Sequence, residues 1–221
     1  VYNSLVPITA EGEILRPYRK MFPVTGPRGE HWEIGEVTPG DDNGAQLLAG
    51  VPVSFAICWD VHFDEVFVKA RRSGARLVLW ASAWMGGPWL RAQALRFGFY
   101  VVSATPDGCT FVDMDGTTIV ESAVGYPQTY GHSNLVFEDL NFDRDVFHTT
   151  TAGALDGIRQ RYGGRVHIRC QPFSGIAIIE TLDPNLSIEE VKREFDLVSM
   201  YDYVEASRDA RARVLTERTI R

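Results

Sequence analysis

The sequence predicts an α/β protein, and three observations carry that expectation. Apolar, β-rich runs at Val51–Ile57, Leu77–Trp80 and Tyr100–Ala104 alternate with segments of helical periodicity. The stretch VSFAICWDVHFDEVFVKARRSGARLVLWASAW, Val53 to Trp84, reads as a complete strand–helix–strand unit. A cysteine, Cys58, stands at the strand-to-helix turn of that unit, the edge of an α/β sheet where ligands bind.

In chain order, Tyr2–Thr9 and Ile14–Met21 read as two extended arms joined by an Ala-Glu-Gly-Glu turn at Ala10–Glu13. Pro23–Asn43, rich in Gly, Pro and charge, is expected as a long loop, and loops of that length are often functional. After Cys58, the apolar positions Phe63, Val66, Phe67 and Ala70 repeat with helical spacing, and Gly74 is the expected stop. Pro88 opens a second helix, running to Phe97, at a position that suits proline. The segments Cys109–Val112 and Thr117–Glu121 flank Asp-Met-Asp-Gly, a hairpin signal. Asn134–Phe137 and Ile176–Ile179 are expected strands, with a helix between them over Ala152–Tyr162 that places Leu155, Ile158 and Tyr162 on one face. Ser187 and Glu190 form a capping box for a helix to about Phe195, and a charged helix begins near Tyr201.

Composition narrows the classes. At 221 residues, with 45% hydrophobic and 23% charged residues, the chain can bury a sizeable core. The net charge of −7, with cations clustered only near the C-terminus, gives no nucleic-acid footprint. No apolar run reaches the roughly 20 residues of a membrane span, and no secretory leader pattern opens the sequence. The three cysteines are too widely spaced for a disulfide scaffold or a zinc site. Reduced thiols in a cytoplasmic protein fit that usage. The sequence starts at Val1, as if already inside a strand.

A cysteine nucleophile needs a proton acceptor, a stabiliser for the developing oxyanion and a pocket. A helix N-terminus favours a thiolate, which places Cys58 ahead of Cys109 and Cys170, both expected as small buried side chains. Of the five histidines, His62 lies one turn beyond Cys58 and is expected to point elsewhere. The sequence separation of the others leaves a Cys–His pairing open.

The ordered segments RPYRKMFP, HWEIGEVTPGDD, FAICWDVHFDE, GARLVLWASAW, RAQALRFGFYVVSATPDG and DMDGTTIVESA together resemble the carbon–nitrogen hydrolase (nitrilase) superfamily. The resemblance covers roughly residues 1 to 137. It implies an αββα sandwich, two sheets face to face with helices outside, here lacking its N-terminal elements. It divides the chain into a partial hydrolase core at residues 1–150 and a family-variable C-terminal extension at 151–221 packed on the same domain. It implies a thiolate nucleophile at Cys58, a stabilising cation at Lys20 of the YRK segment, and a supporting carboxylate at Glu33 of the HWE segment. The backbone N–H of Trp59 would be a second oxyanion donor, and Trp84 and Met85 would line the substrate pocket.

The implied reaction is hydrolysis of a non-peptide carbon–nitrogen bond through a cysteine thioester, with no metal or organic cofactor needed. An amide or N-carbamoyl group stands ahead of a nitrile, because Asp60 follows Cys58-Trp59 where nitrile-cleaving members more often have glutamate. The expected partners are such a small molecule and further copies of the chain in a homo-oligomer, not nucleic acid or membrane. The family's general-base glutamate comes from a strand earlier than any matched here, so this chain alone is expected to turn over amides poorly. Two further readings stay open: a non-catalytic domain that keeps the fold for binding or assembly, and a Cys–His thiol hydrolase on another α/β fold.

Overall fold

The computed structural model describes residues 1–123 and 136–219. The chain divides into two compact units, Val1–Glu138 and Asp139–Arg221.

The first unit is built on one six-stranded sheet with the order β3-β4-β5-β6-β7-β8. Its centre is the expected alternation: β4 (Val51–Ile57), α1 (Asp64–Arg72), β5 (Leu77–Ala81), α2 (Pro88–Phe97) and β6 (Tyr100–Thr105). Strands β4, β5 and β6 are parallel, with Ile57 opposite Ala81 and Ala81 opposite Ala104 at their carboxyl ends. Parallel strands covered by crossover helices are apolar on both faces, which is why these runs lack strand alternation. Helix α1 buries Val66, Phe67 and Ala70, and α2 buries Leu90, Gln93, Ala94 and Phe97. The rings of Phe67, Phe97 and Phe99 meet at centroid distances of 5.9–6.0 Å. Each such buried ring stabilises the unit by roughly 1.5–3 kcal/mol.

The antiparallel additions follow. Strand β3 (Gln46–Leu48) flanks β4, and β7 (Gly108–Val112) and β8 (Thr118–Ala123) extend the other side. The turn between β7 and β8 is closed by Gly116, whose φ of 79° lies in the left-handed region that glycine adopts freely. Ahead of the sheet, β1 (Ser4–Leu5) and β2 (Tyr18–Arg19) pair antiparallel, and an Ile8–Ile14 bridge continues the expected arms.

The second unit has a three-stranded antiparallel sheet of order β10-β11-β9, from β9 (Arg144–His148), β10 (Val166–Gln171) and β11 (Ile176–Thr181). Helices α3 (Ala152–Tyr162) and α4 (Ile188–Glu194) add Leu155, Ile158, Ile188 and Val191 to a core with Phe147 and Ile179. The Ser187 hydroxyl accepts from the Glu190 N–H, and the Glu190 carboxylate accepts from the Ser187 N–H, so the expected capping box forms. Helix α5 (Met200–Thr219) buries only Tyr201 among its described side chains. No helix of the described residues is long and apolar enough to cross a membrane.

Four expectations are corrected. The segment after Cys58 does not enter an α-helix directly. Cys58–His62 is a 3-10 turn, and Phe63 is extended (φ −114°, ψ 113°) before α1 begins. Residues Arg144–His148, given no strand by the sequence, form β9, which pairs with β11. Cys170 lies exposed on β10 and Cys109 is half-buried, so neither is a buried core side chain. Of the expected strand Asn134–Phe137, residues 134 and 135 lie outside the described residues, and Val136 and Phe137 carry no regular structure.

Candidate functional site

Cys58 is the first residue past the carboxyl end of β4, and its φ is +49°. Only two other non-glycine residues among those described, Ala49 and Asp196, have positive φ. A side chain held there costs on the order of 1–3 kcal/mol and persists only when surrounding bonds enforce it. Two buried groups supply that enforcement. The Trp80 indole N–H, from β5, donates to the Cys58 carbonyl at 3.1 Å. The Asp60 carboxylate, fully buried, accepts the Ile57 N–H at 2.9 Å and folds the turn back on the strand end.

Asp60 also ties a second segment to this turn. It accepts from the Tyr18 hydroxyl at 2.7 Å and from the Phe22 N–H at 2.8 Å. Tyr18 and Phe22 stand two residues either side of Lys20, so one carboxylate grips the lysine's strand at both flanks. The Phe22 ring stacks on Phe63 with centroids 3.8 Å apart. Burial pushes the Asp60 carboxyl up, against the opposing pull of its three donors and of the Lys20 charge. Burial and the adjoining Asp60 push the Tyr18 phenol far up, so its hydroxyl remains a donor.

Lys20 is 2% exposed, and its ammonium donates to Glu33 Oε2 at 2.6 Å. Glu33 also accepts from Asn3 Nδ2 at 2.6 Å and from the Val24 N–H at 2.9 Å. Burial pulls the Glu33 carboxyl upward, but its three donors and the Lys20 charge outweigh this, and it lies below the usual glutamate range. A carboxylate this well satisfied is suited to hold a lysine in place.

The remaining candidates gather at the same sheet edge. Trp84, three residues past β5, stacks on His62 at 5.8 Å and meets Trp80 edge-on at 5.7 Å. His62 also meets Trp59 at 4.4 Å and Trp89 at 4.5 Å. Burial pushes the imidazole down, so it is neutral near pH 7. Met85 accepts a contact from the Thr105 hydroxyl, at the end of β6, at 3.1 Å to sulfur. Cys58 and Trp59 thus follow directly on the carboxyl end of β4, and Trp84 and Met85 lie within four residues of the carboxyl end of the adjacent parallel strand β5. A cavity of about 260 Å³ beside β2, lined by Arg16, Tyr18, Asp42 and Phe55, includes neither Cys58, Lys20 nor Glu33.

The structure thus joins Lys20 to Glu33 directly, and Lys20's strand to the Cys58 turn through Asp60. Tyr18, Asn3 and Trp80 are the residues that sequence reasoning missed. No local signal marks these three, because their roles depend on partners far along the chain. Among the described residues, no group of three or more His, Cys, Asp or Glu is placed to hold a metal ion.

A family profile described as carbon-nitrogen hydrolase matches residues 1–146. The chain belongs to the carbon-nitrogen hydrolase family. A deaminated glutathione amidase of Dictyostelium discoideum is 31% identical over 121 residues, covering 49% of this chain and 41% of that protein. Nitrilase homolog 2 of the same organism is 24% identical over 157 residues, covering 65% of this chain and 48% of that protein. A solved amidase of Nesterenkonia sp. superposes with a TM-score of 0.48 at 27% identity, covering 55% of this chain and 51% of that one. This carbon-nitrogen hydrolase chain spans about half the length of the curated relatives it matches.

Proposed function

We propose that this chain carries the thiol, cation and supporting carboxylate of a hydrolase that cleaves amide or N-carbamoyl carbon–nitrogen bonds through a thioester on Cys58. One observation carries the reading. A cysteine held at positive φ on a parallel strand end is tied, through the buried Asp60, to the strand of a lysine that is itself ion-paired with Glu33. Strain of that kind at a strand end, with a buried cation on a segment bonded to the same turn through Asp60, fits a preorganised nucleophile and its electrostatic stabiliser.

In the proposed reaction the Cys58 thiolate adds to the substrate carbonyl carbon. The Lys20 ammonium and the Trp59 N–H share the charge that develops on oxygen. Collapse breaks the carbon–nitrogen bond, and the nitrogen takes up the proton that the Cys58 thiol gave up and leaves as ammonia or an amine. Water then adds to the thioester, the carbon–sulfur bond breaks, and the acid and the free thiol are released. Glu33 is a positioning residue in this scheme, because its oxygens already accept from Lys20, Asn3 and Val24. Relatives carrying the amidase name support an amide ahead of a nitrile. A histidine-based scheme finds less support. His31, His148 and His167 make their described bonds to Ile34, Thr150 and Glu180, and His62 is packed among tryptophan rings.

The test is ammonia release from aliphatic amides and N-carbamoyl amino acids. Cys58→Ala should abolish it. Lys20→Met should lower kcat by at least ~100-fold, the scale of one lost oxyanion donor. Turnover by the Cys58→Ala variant, or a Lys20→Met variant whose kcat is undiminished, would sink the assignment.

A further inference from the structure

Cys58 and Trp59 share one peptide unit, and the buried indole of Trp80 holds that unit by its oxygen. The Trp80 N–H donates to the Cys58 carbonyl at 3.1 Å. Trp80 is 1% exposed and lies on β5 opposite Ala56, in the last part of the β4–β5 ladder, which ends at Ile57 opposite Ala81. The side chain therefore reaches beyond the ladder to the first carbonyl that the ladder leaves behind. The two groups satisfy each other, since a buried indole N–H without an acceptor is costly.

A trans peptide is planar, and its C=O and N–H point in opposite directions; the described chain has no cis peptide bonds. A carbonyl drawn inward to a core tryptophan turns the N–H of the same unit outward. That N–H belongs to Trp59, and the thiol of Cys58 stands two bonds from the Cα that lies in the same plane. We propose that Trp80 is the positioning residue that aims the Trp59 N–H, so that this donor faces the oxygen of a carbonyl under attack by Cys58. The inference rests on the reading of Cys58 as nucleophile and adds a residue that does no chemistry itself.

Two reactions of the same thiol separate the roles. Acetylation by p-nitrophenyl acetate forms a carbon–sulfur bond, passes through a tetrahedral oxyanion and expels p-nitrophenolate. Alkylation by iodoacetamide forms a carbon–sulfur bond and expels iodide with no oxyanion. Both are followed at Cys58 by peptide mass mapping of the full chain. Trp80→Phe keeps an aromatic ring and removes the donor. Trp80→3-benzothienylalanine replaces only the indole N–H by sulfur and preserves the shape of the core, so the test stands even where the phenylalanine variant folds badly.

In the isosteric variant, acetylation of Cys58 should slow by at least about 10-fold while alkylation stays within about 2-fold, because only the first reaction needs the donor. Unchanged acetylation would overturn the inference, and so would an equal fall in both rates, which marks general damage to the turn. If the unmodified chain is not acetylated at Cys58, the nucleophile reading fails and takes this inference with it. If it is acetylated and the isosteric variant behaves identically, only the role of Trp80 fails.

Discussion

Lys20 and Glu33 place opposite demands on their surroundings, and their pairing settles both. A lysine 2% exposed needs a partner for its charge, and Glu33 supplies one at 2.6 Å. The carboxylate is held in turn by Asn3 and the Val24 N–H, so it stays in place when the lysine's other hydrogens are engaged elsewhere. Because the folded protein holds the Glu33 carboxyl below its ordinary value of 4.5, its contribution to stability is complete above that value. It is lost only as pH falls through the lower, folded value. Glu33→Gln should therefore be destabilised relative to the unmodified chain near neutral pH. The gap should narrow at a pH well below 4.5, as the unmodified glutamate takes up its own proton. Urea unfolding midpoints at the two pH values read this directly, and a gap that widens in acid would contradict the assigned direction. Glu33→Gln should also lower turnover by ~10²-fold, the scale of a misaimed oxyanion stabiliser, through kcat more than KM.

The elements show which of these arrangements a one-dimensional pattern can carry. The strand, the turn at Cys58 and the helix over Val66, Phe67 and Ala70 were legible, because apolar runs and a 3.6-residue stripe are local signals. The 3-10 turn and the break at Phe63 were not, because they depend on Asp60 reaching back to Ile57 and outward to residues 18 and 22, some forty positions earlier. Strands β9 and β10 were missed for a related reason. Their sequences, Arg-Asp-Val-Phe-His and Val-His-Ile-Arg-Cys-Gln, are half polar, and only pairing with the apolar β11 makes them strands. Lys20, Glu33 and Cys58 were singled out by motif, but Trp80 looks from sequence like any core aromatic, and only its bond to a carbonyl gives it a site role. The turn's dependence on one carboxylate is itself testable. Asp60→Ala orphans the Ile57 and Phe22 N–H groups and the Tyr18 hydroxyl, each costing about 1–3 kcal/mol when buried unpaired. A total loss of at least ~3 kcal/mol is expected in denaturant unfolding, and a loss below ~1 kcal/mol would mean that the turn is held by something else.

At the scale of the whole chain, the three cysteines report on three environments at once. Cys170 is exposed on β10 of the second unit. Cys109 is half-buried on β7 of the first, and burial pushes its thiol up, which lowers its reactive thiolate fraction. Cys58 is as covered as Cys109 by class, so burial alone would rank it with Cys109 and behind Cys170. The proposed function ranks it first, because it takes Cys58 as the nucleophile and Lys20 as the cation that favours its thiolate. Iodoacetamide labelling near neutral pH, mapped by peptide, should give the order Cys58, then Cys170, then Cys109. The first place should depend on Lys20, so that Lys20→Met drops Cys58 below Cys170 while leaving the order of the other two unchanged. A domain that keeps this fold only for binding or assembly has no reason to favour Cys58, and would show the exposed Cys170 reacting first. The labelling order thus separates the two functions without any knowledge of the substrate.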